Sequence, residues 1–276
     1  MVSAVLLDLD DTIVDSTAAM LVAGTVAAAH VWPDAGPDVH QAAAVRFRAD
    51  PRGLFGDYTR GRLDFTAMRR ARVADVAAHL GLPDPDDTHA RFEAAYAPAF
   101  AAHLRAFDDV ASLLAQAAAR RWRVGVLTNS GAAYTDEKLR VAGLEGAFGV
   151  VVTTDDLGFG KPDARVFTHA CARLGTAPGH TAYVGDDPRV DAGGAAAAGL
   201  YGVWLRRAEP APWGSPGDSG DGADWPGPRV SSLADVVPLL ARHEVDAAPV
   251  AGPGALGGGP AATVRGTDLG TGAAGR

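Results

Sequence analysis

Five short apolar runs, at residues 4–7, 124–127, 150–152, 181–184 and 201–205, constrain this chain more than any other feature. Each is continuous rather than alternating and too short for a buried helix, the pattern of strands covered on both faces. Helical patterns over 111–121, 135–142, 164–174 and 191–198 lie between them, with Gly143, Gly175 and Gly199 where C-terminal caps belong. Strands alternating with helices cross over to parallel neighbours, so the pattern predicts an α/β fold with a doubly wound parallel sheet.

One interval breaks the alternation. Residues 17–100 carry helical periodicity, over 18–31, 39–48, 65–80 and 88–104, with breaks at Pro33, Pro51, Gly81 and Pro83 and no strand-like run. An inserted helical domain at 17–100 is expected, splitting a core made of 1–16 and 101–243. Residues 207–228, rich in Gly, Pro, Asp and Trp, read as a long surface loop, and 230–243 as a last short strand or helix. From 244 to 276 the chain has too few large apolar side chains to offset its ordering entropy, and a disordered tail is expected.

The formal charge of −8 argues against nucleic acid and anionic membrane surfaces as partners. The first apolar run is interrupted by Asp8 and has no cationic flank, so neither a secretion signal nor a membrane span is expected. Cys171 is the single cysteine, which excludes an internal disulfide and a thiolate metal cage and makes a cytoplasmic location the expectation. It shares a helical stripe with Val166, Phe167, Ala170 and Leu174 and reads as a core thiol. Of 25 cationic side chains, all but Lys138 and Lys161 are Arg, so a lysine here is informative.

The first strand runs into Asp8-Leu9-Asp10-Asp11-Thr12, at the carboxyl end where open α/β sheets bind ligands. Alone, such a cluster reads first as an N-cap for the next helix. Thr128-Asn129 after the second strand, Lys161 in a Gly-Lys-Pro loop, and Asp186-Asp187 after the fourth strand converge on the same edge. Phosphoryl transfer needs such a set: an in-line nucleophile, and neutralisation of charge on three equatorial oxygens. Carboxylates alone would repel phosphate. Mg²⁺, which takes one or two carboxylates plus substrate oxygen, reconciles them, with Lys161, Thr128 and Asn129 completing the cradle.

DxDxT, a strand-end Thr, a Lys-Pro loop and Gly-Asp-x-x-x-x-Asp together resemble the four motifs of the haloacid dehalogenase superfamily. The resemblance spans about residues 1–243 and includes WRVGVLTNS at 122–130, GKPDARVF at 160–167 and YVGDDPRVDAGGAAAAG at 183–199. It implies a Rossmann-like core with a helical cap inserted after the first motif. By this resemblance Asp8 is the nucleophile that becomes phosphorylated, and Asp10 the acid that protonates the leaving oxygen and later activates water. Asp8, the backbone carbonyl of Asp10 and Asp186 would hold Mg²⁺; Thr128 and the Asn129 amide would bind phosphate. Lys161 would screen the nucleophile, with Asp191 orienting Lys161 or a metal-bound water. Asp11 and Asp187 match variable positions and are left outside the site. Residues 103–110 depart from the turn common in similar proteins.

The implied activity is Mg²⁺-dependent hydrolysis of a small phosphorylated metabolite by a monomer or homodimer. Residues 56–81 are similar to caps of phosphatases acting on nucleoside monophosphates, phosphosugars or phosphoglycolate. Arg46, Arg48, Arg52, Arg60, Arg62, Arg69, Arg70 and Arg72 are candidates for an anionic substrate, most of them expected on solvated helix faces. A dehalogenase, a phosphomutase and a phosphoacceptor signalling module are the alternatives. A dehalogenase has no use for Asp10, and a receiver module lacks a helical insertion.

Overall fold

The computed structural model describes residues 2–207 and 225–246. Strand β1 (Ala4–Leu7) is followed by helices α1 (Ser16–Val31), α2 (Pro37–Ala49), α3 (Leu54–Thr59), α4 (Phe65–Leu80) and α5 (Thr88–His103), with no strand among them. The chain then alternates through α6 (Val110–Ala119), β2 (Arg123–Leu127), α7 (Ala132–Val141), β3 (Val150–Val152), α8 (Ala164–Leu174) and β4 (Thr181–Gly185). A π-helical turn, Pro188–Gly193, leads into α9 (Gly194–Ala197), then β5 (Tyr201–Leu205), β6 (Arg229–Val230) and α10 (Val236–Asp246).

The six described strands form one parallel sheet in the order β3-β2-β1-β4-β5-β6. Strand order therefore reverses between β1 and β4, and the crevice outside their carboxyl ends is where such sheets take ligands. Leu7 lies opposite both Val126 and Val184, so the segments leaving β1, β2 and β4 emerge at nearly one level. Every residue of β1 and β4 is buried. At about 1.5–3 kcal/mol per fully buried aliphatic side chain, these strands anchor the loops that follow them.

The helical insertion packs α1 between α5 and α2, with α4 against α2. Asp15 caps α1 by accepting from the Ala18 amide. The interior holds Phe47, Phe92 and Tyr96, and two arginines expected in solvent are buried there instead: Arg69 is 5% exposed and Arg72 7%. The Arg69 guanidinium lies 4.7 Å from the Phe47 ring centroid and 4.3 Å from that of Tyr96, and pairs with Glu93 at 2.8 Å. Arg72 donates to the Phe47 carbonyl. A planar fork that stacks on rings and finds acceptors along its edge tolerates burial that an unpaired cation would not.

Helix α3 has no counterpart among the expected elements, the helix expected at 191–198 begins as the π-helical turn and continues as α9, and β6 with α10 shows that 230–243 marks both a strand and a helix. Most of the loop expected at 207–228 and nearly all of the tail expected at 244–276 lie outside the described residues; α10 runs to Asp246. The insertion lies over the strand ends. Tyr58 Oη is 2.8 Å from Thr154 Oγ1, and the Gly160 amide donates to the Thr59 carbonyl at 2.8 Å. Tyr134 of α7 meets Phe100 and Phe65 of the insertion with ring centroids 5.8 and 5.6 Å apart.

Candidate active site

Asp8 leaves β1 with its amide still donating to the Val184 carbonyl, so the sheet itself fixes where the carboxylate begins. Lys161 Nζ donates to Asp8 Oδ1 at 2.6 Å, Asp191 Oδ1 at 2.8 Å and the Tyr183 hydroxyl at 2.7 Å. Three acceptors around one ammonium saturate its donors, which a buried cation requires. The Tyr183 hydroxyl in turn donates to the Leu127 carbonyl at 2.8 Å. Asp191, at 1% exposure, also accepts from the Asp187 amide. A side chain at Gly185 would put its Cβ 2.3 Å from Asp191 Oδ2, so that strand end must be glycine.

The loop carrying Lys161 is held from the next strand over. Asn129 accepts from the Lys161 amide at 2.6 Å and donates to its carbonyl at 3.0 Å, a two-point grip on one residue's backbone. A Cβ at position 160 would lie 2.2 Å from Asn129 Oδ1, which explains glycine there. Thr128 is buried beside it, its hydroxyl oxygen accepting from the Ser130 amide at 3.2 Å, which leaves its proton to donate. The expected site residues Asp8, Thr128, Asn129 and Asp186 thus stand at the ends of β1, β2 and β4, Lys161 in the loop that Asn129 grips, and Asp191 in the π-helical turn after β4.

Asp10 has a separate set of partners. Lys138 Nζ donates to both of its carboxylate oxygens at 2.7 Å, and the Ser16 hydroxyl donates to Oδ1. Lys138 also reaches Ser130 Oγ at 3.1 Å. The scarcity of lysine marks both Lys138 and Lys161, and the strand-end pattern picks out only Lys161. The second lysine lies on α7, where nothing in the strand-end pattern points to it. Asp11 behaves as a local cap, accepting from the Thr17 amide and hydroxyl, with Arg48 of the insertion 3.8 Å away. Asp187 likewise caps the π-helical turn through the Arg189 and Val190 amides.

These surroundings split the carboxyl groups. Burial pushes Asp8 up to about 7, with Lys161 pulling against it and Asp191 and Asp10 adding to it. Asp186 is pushed well above the usual carboxylate range by burial and by Asp191, Asp11 and Asp8. Asp10 is held below that range: burial raises it, and Lys138, with Ser16 and Lys161, together outweigh that. Among the described residues no hydrogen-bond donor meets the Asp186 carboxylate. Ligand oxygens of Asp8, Asp186 and Asp191 lie within 4.8 Å of one another. Both Asp191 oxygens are already engaged, by Lys161 and the Asp187 amide, so Asp8 and Asp186 offer the oxygens left over. A crowded all-oxygen set with one carboxylate lacking a donor fits a hard divalent cation.

Residues 2–199 match the haloacid dehalogenase-like hydrolases, and all of these side chains fall inside that span. The chain is 39% identical over 101 residues to a phosphoserine phosphatase of Thermus thermophilus, covering 37% of this chain and 41% of that protein. It is 27% identical over 156 residues to an (S)-2-haloacid dehalogenase of Pseudomonas fluorescens, covering 56% and 64%. Both matches thus span less than two thirds of the relative's length. The fold is that of an L-2-haloacid dehalogenase from Xanthobacter autotrophicus, with TM-score 0.65, 21% identity, and coverage of 87% of this chain and 99% of that one. No described helix is long and apolar enough to cross a membrane. With a match over most of its length that contains β1, the strand-end acids and both lysines, the chain belongs to the haloacid dehalogenase-like hydrolases and is a hydrolase.

Proposed function

We propose that this hydrolase is a phosphatase, acting on a small phosphorylated metabolite by way of a phosphorylated Asp8. The observation that carries the reading is the pair of carboxylates on one strand end with opposite environments: Asp8 on Lys161, Asp10 on Lys138. Two acids whose surroundings push their proton affinities apart are suited to two roles. A dehalogenation releases halide, which needs no proton, and would leave Asp10 without work.

In this reading the Thr128 hydroxyl and the Asn129 amide bind the phosphoryl oxygens. Lys161 lowers the charge that Asp8 and phosphate present to each other. Asp8 attacks phosphorus, and the bond to the leaving oxygen breaks as Asp10 gives that oxygen a proton. Water then attacks the phosphorus, Asp10 takes its proton, and Asp8 is released with inorganic phosphate. Lys138 favours ionised Asp10 in the free enzyme; Asp10 therefore takes a proton from solvent as the phosphate dianion arrives beside it, gives it to the leaving oxygen, takes one from water in the second step and returns that to solvent. Asp8 and Asp186, with the Asp10 carbonyl, would hold Mg²⁺, which supplies charge neutralisation between carboxylates and phosphate when bound.

Support for the phosphatase reading also comes from the Thermus relative, whose name gives a phosphate ester as its substrate. The test is a panel of phosphorylated metabolites and 2-haloacids with Mg²⁺, reading phosphate and halide together. Phosphate release without halide is expected. Halide release with no phosphate would replace this reading with the dehalogenase one.

A further inference from the structure

Lys138 is not among the strand-end residues that bind or react in the scheme above, yet it is one of the most constrained cations in the molecule. It is 5% exposed, and it takes up both Asp10 oxygens at 2.7 Å and Ser130 Oγ at 3.1 Å. Its placement follows from the helix. Tyr134 and Lys138 are four residues apart on α7 and share a face, and Nζ lies 4.8 Å from the Tyr134 ring centroid. Tyr134 is in turn packed on Phe100 and Phe65 of the insertion. The Asp10 carboxylate is gripped from two sides, by Ser16, the first residue of α1, and by Lys138 on α7.

A carboxylate that must face a leaving oxygen and later a water needs a fixed orientation. A side chain two bonds from the backbone does not fix itself; its partners do. We propose that Lys138 is a positioning residue for Asp10, holding the carboxylate by both oxygens in the orientation from which it exchanges protons with the leaving group and with water. The proposal rests on the phosphatase reading. Lys138 then serves Asp10 as Lys161 serves Asp8, and the two lysines of an otherwise arginine-only chain are both accounted for. Lysine suits the place because a compact ammonium spans two carboxylate oxygens and a hydroxyl under an aromatic ring.

The test compares Lys138→Met, Lys138→Gln, Asp10→Asn and Asp10→Asn/Lys138→Met in single-turnover bursts with an aryl and an alkyl phosphate. Partners that orient a reacting group cost about 10–100-fold when removed. Lys138→Met should slow phosphoenzyme formation by that factor with the alkyl phosphate and by much less with the aryl one. Inhibition by inorganic phosphate should stay unchanged, since Lys138 does not hold the phosphoryl oxygens. The double variant should be no slower than Asp10→Asn. Lys138→Gln keeps a donor and leaves no bare cation site, so it should fall between wild type and Lys138→Met; it keeps the test alive if the methionine variant does not fold. Equal slowing of both leaving groups by Lys138→Met and Lys138→Gln, or losses that multiply in the double variant, would overturn the role given to Lys138. If Asp10→Asn itself shows no preference between leaving groups, the acid–base role of Asp10 falls first and takes that of Lys138 with it.

Discussion

The two lysines hold the two acids of one strand end, yet their settings differ in kind. Lys161 lies in the floor of the site, where Asp8 from the end of β1, Tyr183 of β4 and Asp191 of the π-helical turn meet it and the Asn129 grip fixes its backbone. Lys138 stands on a helix, and its acid remains about a third exposed, with a side-chain accessibility of 35% against 10% for Asp8. The floor is assembled at the ends of strands that are buried along their whole length. The other half is assembled where α7 meets the insertion, through Tyr134, Phe100 and Phe65. A nucleophile needs a fixed place; an acid–base group needs access to a leaving group and to water.

Substitutions should separate the halves. Asp8→Asn is expected to abolish turnover and leave no phosphoenzyme in an acid-quenched burst, because an amide is a poor nucleophile and no covalent path remains. Asp10→Asn should cost about 10²–10⁴-fold, with a smaller loss in the burst for an aryl than for an alkyl phosphate. If it slows both equally, the two halves do not divide the work as argued. Lys161→Arg should lower kcat by about 10²–10³-fold despite the retained charge, the usual cost of losing one preorganised electrostatic contact. A planar guanidinium cannot meet Asp8, Asp191 and Tyr183 from one point. Near-normal kinetics for that variant would show the floor to be less tight than its distances imply.

The smallest effect concerns stability. Asp8 rises from 3.8 to about 7 in the folded chain, and Asp186 also rises. Over that interval the folded state binds more protons than the unfolded one, so stability falls as pH rises from 3.8 through about 7. Asp10 has the opposite sign, but its contribution is lost only as pH falls below the ordinary carboxylate range. In chelator the melting temperature should therefore decline across the upper window, and added Mg²⁺ should restore more of it at the high-pH end. A metal effect that is flat with pH would contradict the crowding of Asp8 and Asp186.

The same contrast separates what the sequence discloses from what it hides. The floor was legible because buried parallel strands are continuous apolar runs, and each reactive residue follows such a run within a few positions: Asp8 after Leu7, Thr128 after Leu127, Asp186 after Gly185. Of the two roles open to Asp191, orienting Lys161 or a metal-bound water, the first has a direct contact, at 2.8 Å. Lys138 was not placed, because its meeting with Asp10 depends on the rotation of α7 across 128 residues of separation. Its rarity in an arginine-rich chain was the available signal. Arg69 and Arg72 misled for a related reason: α4 is rich in charge and reads as solvated, while the rings that receive the two guanidiniums come from α2 and α5. Helix α3, six residues long, is too short to show a period.

The central claim is that chemistry occurs at phosphorus, with Asp8 as the group that carries it. It is tested most directly by one turnover with enzyme in excess in ¹⁸O-enriched water, followed by mass measurement of the released phosphate and of the peptide containing Asp8. Attack of water on a phosphorylated Asp8 at phosphorus puts the label in inorganic phosphate and none in the protein. Label in the Asp8 carboxylate would mean that water attacks the carboxyl carbon of an ester, as hydrolysis of an alkylated aspartate requires, and would contradict the phosphatase account.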